Sequence, residues 1–147
     1  MPIGHAHQLS LSDSTSLEPS VVLRISRLLL AALFIIAGAN HFLAPAPYLA
    51  IMPPRFPAPA ALVAISGIAE IAGGLGLLFR FTRKAAAAGL IVLLVAVFPA
   101  NIYAAMHGMQ IGAHRIPQWL LWLRLPFQPL LIAWVYFVGW KPPKAPR

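Results

Sequence analysis

The stretch ALVAISGIAEIAGGLGLLF, Ala61 to Phe79, is apolar throughout except for Ser66 and Glu70. At ~1.5 Å of rise per residue, a helix of this length matches the hydrocarbon thickness of a bilayer. The other two acids of the chain, Asp13 and Glu18, sit in a polar N-terminal segment. Glu70 therefore stands alone where an acid costs most, and a carboxyl in such a place needs a partner inside the protein. The stretch reads as a membrane helix with a polar group built into it.

Three further segments have the same character, and the four run approximately Val22–Phe42, Pro59–Phe79, Ala85–Met106 and Gln118–Trp140. Composition agrees. Of 147 residues, 60% are hydrophobic and 10% are charged, with a mean hydropathy of +0.79. A soluble domain carries roughly a quarter of its residues charged. The expected fold class is an all-α membrane protein, a four-transmembrane-helix bundle over residues 21–141. A flexible polar tail is expected at 1–20 and a short basic tail at 142–147. The N-terminal segment lacks the basic start and apolar core of a signal peptide. Ala37-Gly38-Ala39 imitates a cleavage site, but the first span is expected to remain as an anchor.

The net charge of +8 would prompt a nucleic-acid reading in a soluble chain. Here it sorts by side. Arg24, Arg27, Arg80, Arg83, Lys84, Lys141, Lys144 and Arg147 fall at one end of the spans, against Arg55 and Arg115 at the other. Positive charge on one side predicts both termini in the cytoplasm and a multi-pass protein of the cell (inner) membrane. Nucleic-acid binding is excluded, and membrane lipid is the expected surrounding. Trp119, Trp122 and Trp140 lie near the ends of span four, where indole rings favour the interface.

The connection LAPAPYLAIMPPRFPAP, Leu43 to Pro59, is rich in proline and is expected to be stiff and non-helical. It reads as a rigid turn in preference to a binding lid. HGMQIGAHRIP, His107 to Pro117, reads as a more flexible outer loop. With no cysteine, the chain has neither disulfides nor thiol chemistry. His5 and His7 lack a further ligand nearby, so no metal site is assigned. Gly73-Gly74-Leu75-Gly76 lies inside an apolar span with no preceding strand, which excludes a phosphate loop.

Each span contributes a polar group to the outer half of the bundle: Asn40 and His41, Glu70, Asn101, and Arg124 with Gln128. Ser66, Gly67, Glu70, Gly73 and Gly74 recur at helical spacing, which places Glu70 on a stripe of small residues where helices approach closely. Glu70 and Arg124 are expected to form a buried ion pair, since either alone is an uncompensated charge. Pro99, Pro126 and Pro129 free backbone carbonyls in the same region, and Asn101, Arg124 and Gln128 can donate to them. Two readings stay open: a structural pin and a ligand pocket bounded by these six residues.

The set AGANHF, GIAEIAGGLGLLF, VFPANIY and WLRLPFQPLLIAW, in that order, resembles the DoxX family of small membrane proteins over roughly Leu23 to Trp140. The resemblance implies a four-helix membrane bundle. It also implies a relation to the DoxD subunit of thiosulfate:quinone oxidoreductase, and a link to oxidative or thiol stress and quinone detoxification. The expected function is binding of a small, hydrophobic, quinone-like molecule and assistance to a redox-protein partner, as a membrane subunit of an oxidoreductase system. No resident cofactor is identified beyond such a quinone, no catalytic residue is assigned, and an oligomer is compatible. The alternative is a non-catalytic assembly factor or chaperone whose polar cluster is structural.

Overall fold

The computed structural model describes residues 19–140, with side chains from Val21 onward. The tail residues His5, His7, Lys141, Lys144 and Arg147 lie outside the described residues. The chain forms α1 (Pro19–Leu43), α2 (Ala46–Ala50), α3 (Pro59–Leu78), α4 (Arg83–His107), a hairpin of β1 (Gln110–Ile111) and β2 (His114–Arg115), and α5 (Gln118–Trp140). Four of these helices are long and apolar enough to cross a membrane: Val21–Leu43, Pro59–Leu78, Arg83–His107 and Gln118–Trp140. They match the four segments read from hydropathy. The bundle has an arginine end, where α1 starts and α3 passes to α4, and a loop end that carries α2 and the hairpin.

The helices pack in the order α1, α3, α4, α5, with only slight contact between α1 and α5. The α1–α3 interface is the closest. A Cβ on Gly38 would lie 2.6 Å from the Gly67 carbonyl oxygen, and one on Gly74 would lie 2.8 Å from that of Ala31. Glycine at both places is what lets the two backbones meet. Near the arginine end all four helices share one core, built from Leu30 and Phe34, Leu77, Leu90 and Leu94, and Val135 and Val138. Towards the loop end the core changes. There Ala100, Ala104 and Ala105 of α4 pack on Leu121 of α5, under Ile51 and Met109. The bundle thus divides at its loop end into two pairs, α1 with α3 and α4 with α5.

The proline-rich connection departs from expectation, because Ala46–Ala50 is helical. Pro45 and Pro47 occupy its start, where no backbone donor is needed and the fixed φ of proline suits the helix. Proline after that point ends the helix, and Ala58, just before Pro59, takes a left-handed conformation at φ 46°. The second connection is a hairpin, with Gln110 paired to Arg115 and Ile111 to His114. Gly112 turns it at φ 58°, and Ile116 N–H donates to the Met109 carbonyl at 3.0 Å. His107 belongs to the last turn of α4, stacked on Tyr103, whereas His114 is an exposed strand residue.

Candidate functional site

Between the two helix pairs lies a cavity of about 570 Å³. That is the size of a small-molecule site. Its floor is the shared core, and its cover is the segment that holds α2, which contributes Tyr48, Ile51, Met52 and Phe56. The proline-rich connection is therefore part of the cavity wall as well as a turn. Of the six residues singled out in the sequence, His41, Glu70, Asn101, Arg124 and Gln128 line this cavity. Asn40 is exposed at its edge and donates to the Tyr48 hydroxyl at 3.2 Å.

Glu70 does not pair with Arg124. Its Oε2 lies 3.5 Å from His41 Nε2, and no ion pair joins it to the arginine. The cause is the close approach of α1 to α3, which sets His41 directly against the face that carries Glu70. Arg124 projects from an exposed position on α5, across the cavity. Both members of the observed pair are shielded, with 7% and 15% of their side-chain surface accessible.

The protons of this pair follow from geometry. His41 Nδ1 is 2.8 Å from the Val63 carbonyl oxygen, an acceptor only, so Nδ1 carries hydrogen. Nε2 facing a carboxyl oxygen is attractive only if one of the two holds a further proton. A further proton on either member would make the His41–Glu70 contact attractive. Glu70 Oε2 accepts no hydrogen bond that meets full geometry, so the contact is long and its oxygen retains acceptor capacity. Tyr48 packs on the imidazole with ring centroids 3.7 Å apart.

The second helix pair has its own polar latch. Asn101 Nδ2 donates to Gln128 Oε1 at 2.7 Å, and Gln128 Nε2 donates to the Leu94 carbonyl. Gln128 is buried, at 6% exposure. Pro99 has no N–H to give the Val95 carbonyl, one residue beyond the Leu94 carbonyl that Gln128 reaches. The two amides bind each other across α4 and α5, whereas Arg124 makes no hydrogen bond or ion pair with the described residues. Tyr48, Met52 and Phe56 were not found by sequence reasoning. A tyrosine between two spans was their one signal, and the proline content around it pointed to a turn.

Each polar couple lies within a helix pair, and the apolar cavity lies between the pairs with one unpaired guanidinium at its wall. This arrangement defines a multi-pass membrane bundle with a polar-edged internal cavity. The chain belongs to the family described as Domain of unknown function (DUF8561), whose model matches residues 30–139 and so takes in all six candidate residues. No curated protein and no protein of solved structure matches it significantly.

Proposed function

We propose that the protein binds a small quinone-like molecule in the cavity between its helix pairs and assists a membrane redox partner, as its resemblance to the DoxX family implies. The carrying observation is the cavity itself. It is mostly apolar, yet it places the titratable His41–Glu70 couple on one side and the unpaired Arg124 on the other. A quinone offers a carbonyl oxygen for a guanidinium to hold, and its reduction consumes protons as well as electrons. Arg124 would hold one ligand oxygen, and the His41–Glu70 couple would give or take a proton at the other. The electrons would come from the partner. In this reading both termini face the cytoplasm of the cell (inner) membrane, and the cavity lies in the outer half of the bundle.

The test is binding of a short-tailed quinone analogue to the purified protein, followed by quenching of intrinsic tryptophan fluorescence. Arg124→Gln is expected to weaken binding by about tenfold, the worth of one charge-assisted hydrogen bond, with thermal stability unchanged. Failure of the wild type to bind any analogue would remove the reading. A second reading, an assembly factor with a structural polar cluster, is favoured by one observation. The Asn101–Gln128–Leu94 chain uses both ends of the Gln128 amide for packing. Under that reading Arg124→Gln leaves every measured property unchanged.

A further inference from the structure

At the arginine end, Arg27 is buried, at 9% exposure, and its Nε and Nη2 groups meet no hydrogen-bond acceptor. These two groups form the edge of a guanidinium that binds an oxyanion in a fork. The surroundings are of one sign. Arg24 and Arg83 both repel Arg27 electrostatically, and Arg80 acts on Arg83 in turn. Arg83 uses one donor, its Nε, on the Leu77 carbonyl at 3.2 Å. The one acid among the described residues, Glu70, lies far along α3 beside His41. A buried guanidinium with no counter-ion among the described residues is a costly arrangement, and a bound anion would relieve it.

We infer that Arg27, with Arg24 and Arg83, forms a site for a phosphate group, and that its occupant is the headgroup of an anionic phospholipid. Position favours the lipid over a soluble phosphate. Arg27 stands on α1 about 9 Å past Val21, the first residue of the span, by helical rise. Ile25 and Leu28 on α1 and Phe81 in the α3–α4 connection are exposed apolar residues, suited to acyl chains. Basic clusters at this level recognise anionic lipids through the same charge chemistry. The site is separate from the cavity and does not depend on its ligand.

The experiment measures thermal unfolding of the full chain in neutral detergent, titrated with dioleoyl phosphatidylglycerol, dioleoyl phosphatidylcholine or inorganic phosphate. Phosphatidylglycerol is expected to raise the midpoint saturably, with half-saturation about tenfold below that for phosphatidylcholine. Arg27→Gln should be no less stable than the wild type without lipid, because it removes an unpartnered buried charge, and should lose the phosphatidylglycerol response. Arg115→Gln, at the opposite end, should keep it. Native mass spectrometry gives a second readout: anionic lipid retained on the wild type and lost from Arg27→Gln. Equal responses to the two lipids, or an unchanged response in Arg27→Gln, overturn the site. A response to inorganic phosphate equal to that of phosphatidylglycerol overturns the lipid as occupant and assigns a free anion.

Discussion

A double-mutant cycle on His41 and Glu70 tests the central geometry. His41→Leu removes the imidazole contact to Glu70, the hydrogen bond to the Val63 carbonyl and the stacking on Tyr48. A shielded carboxyl without a partner and the loss of the side-chain bond to Val63 should together cost about 2–4 kcal/mol. Glu70→Leu leaves Nε2 facing apolar surface, whereas Nδ1 keeps its acceptor, so its cost should be smaller, about 1–3 kcal/mol. In the double variant the stranded carboxyl disappears and only the lost side-chain bond to Val63 remains. Its cost should fall short of the sum by about 1–2 kcal/mol, the coupling expected of residues in contact. The parallel cycle on Glu70 and Arg124 should be additive within about 0.5 kcal/mol, since those side chains lie on opposite walls. Equilibrium unfolding in mixed micelles measures all four corners of each cycle. Strong coupling between Glu70 and Arg124, with none between Glu70 and His41, would refute the assignment of partners.

Two further expectations concern the rest of the bundle. Gln128→Leu should destabilise by about 1–3 kcal/mol, because it strands Asn101 Nδ2 and removes the bond to Leu94, while Asn101→Ala should cost nearer ~1 kcal/mol, since Gln128 keeps its bond to Leu94; equal, negligible effects in the same unfolding assay would contradict the latch. Reporter fusions should place Arg83 and the C-terminus in the cytoplasm and Gly112 on the outer side, and an outward C-terminus would overturn the proposed orientation.

Much of the fold was legible because hydropathy and length are local properties. The four spans needed no knowledge of packing, only the ~20-residue run that a bilayer demands. The shared location of His41, Glu70, Asn101, Arg124 and Gln128 was legible for a related reason. Polar groups at similar depth in a small bundle have few places to go but inward. Which residue meets which was not legible. Charge alone favoured Glu70 with Arg124. The outcome turned on backbone distance, set by Gly38, Gly67 and Gly74, which brought an uncharged-looking histidine closer than the arginine. The helix in the proline-rich connection was hidden because proline interrupts a helix in its interior yet fits its first turn. Arg27 was read as a topology signal, and its burial depends on neighbours that sequence order does not reveal.

The division into two pairs has a mechanical consequence. Among the described residues, no side-chain hydrogen bond crosses the seam between the pairs at the loop end. The polar ties across pairs, Trp134 to Ser26 at 2.6 Å, Arg83 to Leu77 and Thr82 to Gly76, are all at the arginine end. The bundle is therefore built like a pair of tongs, tied by polar bonds at one end and closed only by the apolar contact of Ile51 with Met109 and α4 at the other. Parting the loop ends breaks neither the His41–Glu70 contact nor the Asn101–Gln128 bond. Such a motion costs mainly apolar contact, which surrounding lipid tails can replace, so the soft coordinate of this molecule is the width of its own cavity.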